Sequence, residues 1–303
     1  WTLLSRLMGF IRDILFASIL GTGPIADAFL VAFRVPNLFR RFFAEGAFSA
    51  AFIPILAKEY EKYGIQGGIL FTSKIASFLL FFILPLIILS EIFMPNIIYL
   101  IAPGFMEDAI RFELAVPYAR IIFPYLIFII FTALFAACLN TNGKFWSGAA
   151  APIILNVFLI IALIMSRYIV SDVGIIISWA VLLAGVFQML LLAWDTYRNG
   201  LEFSISFPKI DNDIKLFIKR FIPGAFGAGV IQVNLLVGSI FASQIPGAIS
   251  WLYYSDRIAQ LPLGIIGIAI GTALLPDLAK KINLGQIKKQ NLRTTLYLKE
   301  HPR

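Results

Sequence analysis

The sequence predicts an all-α, polytopic membrane protein, and three observations predict it. Of its 303 residues, 60% are hydrophobic and only 14% are charged, against about 25% charged in a soluble domain. Several windows stay apolar for the roughly 20 residues that a helix needs to cross a bilayer core. The ten-residue alternating segments of a membrane β-barrel do not occur.

The elements follow in order. Helix one is expected over 1–20 and stops at the turn cluster GTGP, Gly21–Pro24. Helix two is expected over 24–57; it is long for one span and contains Pro36, which removes a backbone hydrogen bond and kinks a helix. The polar run KEYEKYG, Lys58–Gly64, reads as a loop, and helix three covers 69–93. The mixed stretch EIFMPNIIYLIAPGFMEDAIRFE follows, its centre suited to the interface. Helices four (113–139), five (147–167) and six (173–195) come next, then a polar connection over 196–213. Helix seven covers 214–243 and helix eight 246–279, making eight spans. The chain starts at Trp1 inside a helix already under way and ends in a basic tail, so both ends read as truncated, with no cleavable signal pattern.

Lys and Arg set the expected orientation. The loops and flanks after helices two, four, six and eight carry Lys58, Lys62, Lys144, Arg198, Lys209, Lys215, Lys219, Arg220 and seven more beyond residue 279, fifteen in all. The opposite loops carry only Arg111 and Arg167. The positive-inside rule puts the first set, and the N-terminus, in the cytoplasm. The net charge of +8 is therefore read as topology and anionic lipid, not nucleic acid. Cys138 lies in an apolar run as a small hydrophobe, and His301 sits in the polar tail. No metal cluster, His-based triad or phosphate-cradling Gly loop is visible, which leaves hydrolytic or redox chemistry without residues.

Eight cations remain at membrane depth: Arg6, Arg12, Arg34, Arg40, Arg41, Lys74, Arg120 and Arg257. A charge there costs about 2.5–3.5 kcal/mol or more unless paired or watered. Arg6 and Arg12 are six residues apart, roughly 120° around a helix, so both edge one broad cavity without stacking on a stripe. One reading pairs the arginines with Asp13, Asp27, Glu45 and Asp256, leaving two cations over. The other is a watered cavity for an anionic substrate. Guanidinium forks match phosphate oxygens, and a diphosphate offsets about two positive charges. Lys74 reads as snorkelling, and Arg120 lies between two prolines. GAFGAGV (224–230) and GIIGIAIGTA (264–273) read as small-residue packing faces or as points where a lobe rocks.

The run SRLMGFIRDILFASILGTGPIADAFLVAFRVPNLFRRFFAEGAFSAAFIPIL, and again ISWLYYSDRIAQLPLGIIGIAIGTALLP at 249–276, resembles the MurJ/MviN family of lipid II flippases. The resemblance implies the multidrug/oligosaccharidyl-lipid/polysaccharide exporter fold, fourteen helices in two pseudo-symmetric lobes around a cationic cavity. This chain would supply the first lobe (1–195), a cytoplasmic connection (196–213), and the start of the second lobe with a basic tail (214–303). By the same resemblance Arg6, Arg12, Arg40 and Arg257 look like the cavity arginines and Asp27 like an essential acid. Ser5, Asp13, Glu45 and Ser250 look like positions near that site, and Asp256, the acid beside Arg257, is added to them from the residue reading. Gln260 departs from relatives that carry Glu there.

The implied substrate is lipid II, an undecaprenyl diphosphate bearing a disaccharide-pentapeptide. It would be moved across the inner (cytoplasmic) membrane of a bacterium by alternating access, with no cofactor and no covalent step. The implied partners are lipid II, the bilayer and other cell wall synthesis proteins, with no nucleic acid. The competing expectations are an exporter of another lipid-linked oligosaccharide, a cation antiporter, a scaffold, and an enzyme acting on lipid II. Surplus arginine argues against the antiporter, and the absence of an acid–base pair beside a nucleophile argues against the enzyme.

Overall fold

A computed structural model describes residues 1–44 and 47–260, and all regular structure among these residues is helical. The helices are α1 (Thr2–Leu20), α2 (Pro24–Ala44), α3 (Ala47–Ile92), α4 (Met94–Ile101), α5 (Ala109–Ile122), α6 (Tyr125–Thr141), α7 (Trp146–Met165), α8 (Val173–Arg198) and α9 (Asn212–Ala242), with a 3₁₀ turn at Pro103–Glu107. The chain forms two compact units, Trp1–Trp251 and Leu252–Arg303. In the first unit, residues 248–251 begin a further helical stretch; in the second, residues 252–260 are helical. Glu45, the GIIGIAIGTA run and the basic tail lie outside the described residues.

Length and apolar composition qualify four stretches as membrane spans: Ala47–Ile92, Ala109–Thr141, Trp146–Met165 and Val173–Arg198. A fifth qualifies if the two halves of α9, bent by 47°, count as one span. This is fewer than the eight expected, for physical reasons. Arg6, Arg12 and Asp13 on α1, and Asp27, Arg34, Arg40 and Arg41 on α2, keep those helices from reading as uniformly apolar. Most of the eighth expected span lies beyond residue 260.

The loop expected at Lys58–Gly64 is helical, because its Lys, Glu and Tyr residues continue α3 past the apolar stretch. The break is confined to Gly64, at φ 66° and ψ −162°, a backbone conformation open to glycine at little cost. Expected helix four is instead α5 followed by α6, separated at Phe123-Pro124, where proline cannot donate a helical hydrogen bond.

Buried residues concentrate on α2 (Ala26–Ala32), on α3, and on α6, where Ile129–Leu134, Ala137 and Cys138 are enclosed. Helix α2 packs on α5 and α6, α7 and α6 on α8, α1 on α7, and α9 on α3. Gly224 of the GAFGAGV run sits 3.6 Å, by an added Cβ, from Ala47 of α3, an ordinary packing contact.

Hydrogen bonds sort the connections into two ends. At one end Asn142 donates to the Tyr60 hydroxyl (3.0 Å), and the 196–213 connection lies along α3. There Ser204 N and Ser206 N donate to Ser73 Oγ and Ser77 Oγ (3.1 and 3.0 Å), and Phe207 meets Phe81 edge-on. Lys74 does more than snorkel: its ammonium is 2.5 Å from Asp211 and 2.7 Å from Asp213, at the start of α9. Burial works to raise the Asp211 carboxyl, but the hydrogen bond from Lys74 and the amides of α9's first turn outweigh it, leaving it below its ordinary value. At the other end the α1–α2 turn, the 3₁₀ segment and the 243–247 turn meet, and there the charges become informative.

Candidate functional site

Two charged clusters and one cavity make up the candidate site. The first cluster lies between α1 and α7. Arg12 donates through Nε and Nη2 to Asp13 Oδ1 (3.0 and 2.7 Å) and through Nη1 to Asn156 Oδ1 (2.9 Å). Asn156 in turn donates from Nδ2 to the Ser5 carbonyl (3.1 Å). Ser5, Gly9 and Arg12 fall at i, i+4 and i+7, so helical periodicity turns them to the same side of α1. The Arg12 and Asp13 side chains keep 15% and 13% exposure, so the pair is held yet reachable. Arg6 is exposed on the same helix.

The second cluster is closed. Asp27, 0% exposed, stands in the first turn of α2. Its Oδ2 accepts from Gly247 N (2.8 Å), and its Oδ1 accepts from Ser250 N (3.0 Å) and from the Ser250 hydroxyl. A carboxylate from one helix thus caps the helical stretch that begins at 248, satisfying amides that would otherwise lack partners. Gly247 has φ +82°, and a Cβ there would lie 3.1 Å from the Thr22 carbonyl, so the turn depends on glycine.

Arg111, expected in a loop, is 2% exposed and completes this cluster. It donates to Asp108 Oδ2 (2.7 Å) and the Ser243 carbonyl (3.1 Å), lies 3.7 Å from Asp27, and stacks 4.7 Å from the Phe105 ring. Gly104 N donates to Ser243 Oγ (3.0 Å), adding a bond between the same segments. Burial works to raise the Asp108 carboxyl, but the Arg111 hydrogen bonds and charge hold it below its ordinary value.

The cavity, about 490 Å³, opens among α6, α7 and α8. Arg40 and Ser49 line it with Thr132, Asn140 and Gln188, against small residues from Gly148 to Pro152. Arg40 Nε donates to Asn37 Oδ1 (2.9 Å), and buried Gln188 donates to the Ala151 carbonyl (2.7 Å). The volume is that of a small-molecule site, with one cation and a few polar groups in an apolar wall.

In the second unit Arg257 lies 4.9 Å over the Tyr253 ring and 3.3 Å from Gln260 Oε1, beside an exposed Asp256. The structure therefore brings Ser5, Arg12 and Asp13 together, and separately Asp27 with Ser250. Arg40 lines the cavity, and Glu45 lies outside the described residues. The sequence reading missed Asn156, Gln188 and Arg111. A lone Asn in the apolar run of α7 and a Gln in that of α8 were visible signals, since polar residues at membrane depth are seldom idle. Arg111 carried only Asp108 three residues earlier as a hint.

Comparison with known proteins now bears on this arrangement. The family model described as lipid II flippase MurJ matches residues 16–299. A relative from Rhizobium tropici, named "Probable lipid II flippase MurJ", is 44% identical over 292 residues, covering 95% of this chain and 55% of the relative. One from Burkholderia cenocepacia, named "Lipid II flippase MurJ", is 35% identical, covering 92% of this chain and 55% of the relative. The chain thus spans about half the length of the curated relatives it matches. A solved structure of lipid II flippase MurJ in an inward closed conformation superposes with TM-score 0.79 at 29% identity, covering 93% of this chain and 58% of that one. An inward-facing multidrug resistance MATE family transporter of the MOP superfamily matches at TM-score 0.62 and 18% identity, covering 85% of this chain and 58% of that one, which is a likeness of fold. This multi-pass helical membrane chain belongs to the lipid II flippase MurJ family, a family of transporters.

Proposed function

We propose that this chain acts as part of a flippase that carries lipid II from the cytoplasmic to the periplasmic face of a bacterial inner membrane, supplying cell wall synthesis. Residues 1–195 form one lobe, 196–213 the cytoplasmic connection, and 214–303 the start of the second lobe; the N-terminus is cytoplasmic. The observation that carries the reading is Arg12, a guanidinium held between α1 and α7 by Asp13 and Asn156 while still reachable. Its planar donors suit a diphosphate. Arg6 and Arg40 add cationic character, with Arg40 in the cavity wall, and Arg257 is a further substrate-binding candidate carried from the sequence. Ser5 and Asp13 shape the surroundings of Arg12, and Glu45 and Asp256 are further substrate-binding candidates carried from the sequence.

Asp27 and Ser250 have a different part in this reading. Their bonds tie α2 to the start of the stretch at 248, at the end away from the Lys-rich loops. In this reading they act as a clasp at the periplasmic end, and alternating access requires that clasp to open.

The test is lipid II translocation by the complete flippase carrying Arg12→Ala or Arg257→Ala. Both variants are expected to lose translocation at normal abundance. Normal flipping by both would sink the arginine assignment, and equal binding of other polyprenyl-diphosphate sugars would remove lipid II as the preferred substrate.

A further inference from the structure

We propose that Asn156 is a positioning residue for Arg12, setting the guanidinium toward the substrate diphosphate. The inference rests on Arg12 facing that diphosphate.

Asn156 is 6% exposed in α7, whose other residues from Trp146 to Met165 are almost all apolar. A buried amide at that depth is costly without partners, and here α1 supplies both. The Ser5 carbonyl takes the amide N–H, which fixes the flip of the amide and aims Oδ1 outward at Arg12 Nη1. Asp13 holds the opposite edge of the guanidinium through Nε and Nη2. The plane is therefore defined from two helices. A guanidinium held by one neighbour alone would swivel about its stem, and bidentate phosphate recognition depends on the plane.

The residue type also matters. Asp13 already offsets the Arg12 charge, so a carboxylate at 156 would make the trio net negative and repel an anion. The amide accepts the same hydrogen bond without added charge. The competing explanation is that Asn156 merely ties α1 to α7 through Ser5. The two differ in what happens when Arg12 is altered, because a residue acting through Arg12 loses its effect once Arg12 has changed.

The experiment measures binding of undecaprenyl diphosphate to the full chain in lipid nanodiscs, with thermal melting as the folding control. Asn156→Ala is expected to weaken binding about tenfold, and in an Arg12→Lys background to add less than about twofold. Asn156→Gln, which keeps both groups, is expected to recover most of the loss. Asn156→Ser replaces the alanine variant should the latter fail to melt cooperatively. Unchanged binding by Asn156→Ala while Arg12→Lys binds weakly overturns the positioning role and leaves the arginine reading standing. So do losses that multiply in the double variant, which mark a structural tie. Unchanged binding by both Arg12→Lys and Arg12→Ala overturns the arginine reading itself.

Discussion

The Asp27 cluster and the Arg12 cluster use the same chemistry to opposite ends. Asp27 meets two amides and a hydroxyl within hydrogen-bond reach, with Arg111 3.7 Å away, and is closed from solvent. Arg12 is held by a carboxylate and an amide and keeps part of its surface. An ion that protein groups enclose can only stabilise the arrangement that encloses it. One that keeps part of its surface can also bind something that arrives. Charge in a largely apolar helix is therefore not one signal but two, separated by whether the fold completes the shell.

The largest way to break the comparison is Asp27→Ala. It strands the amides of Gly247 and Ser250 and leaves Arg111 with Asp108 and the Ser243 carbonyl, and removing the buried carboxylate from this cluster costs about 3–5 kcal/mol. The melting midpoint in detergent should fall steeply, whereas Arg12→Ala, which takes one partner from Asn156 and leaves a part-exposed Asp13, should lower it less. Equal falls would erase the distinction. Arg111→Met should come next at about 3 kcal/mol, the stranded Asp27 carboxylate keeping its amide donors. Gly64→Ala tests backbone, not charge: a φ of 66° costs a residue with a side chain about 1–2 kcal/mol, read as a lower melting midpoint.

The smallest effect belongs to the connection on α3. The Lys74 and Asp211 side chains are about a third exposed, so Lys74→Ala should cost less than about 1 kcal/mol. It carries a pH signature all the same. Because the Asp211 carboxyl titrates below its ordinary value, its contribution is full above roughly pH 4 and is lost as pH falls through the lowered value. Protease cleavage within 200–211 should stay flat from neutral pH to about pH 5 and rise below about pH 4. In Lys74→Ala the cleavage should already be raised at neutral pH and change less.

Charge counting along the chain set four acids against six arginines and left two cations over. The structure changes the bookkeeping. Asp27 is joined by Arg111, a residue the count had placed in a loop, and Asp13 turns to its own neighbour Arg12. Lys74 meets carboxylates of a connection about 140 residues downstream. None of these pairings has a sequence spacing that announces it, apart from Arg12-Asp13. The polar run at Lys58–Tyr63 misled for a different reason, since polarity marks where a helix leaves an apolar environment and not where it ends.

What the sequence determined by itself was the class: helices throughout, long apolar stretches, and arginines concentrated in the first 41 residues. Those follow from composition and local periodicity, which act over one or two turns. Which charges are enclosed and which are reachable was decided only by the tertiary structure. A shell of donors around Asp27 is drawn from residues 111, 247 and 250, and the hold on Arg12 from residue 156. A carboxylate or guanidinium in low dielectric takes whatever partner the packing of distant helices delivers, and that packing is not written in neighbouring residues.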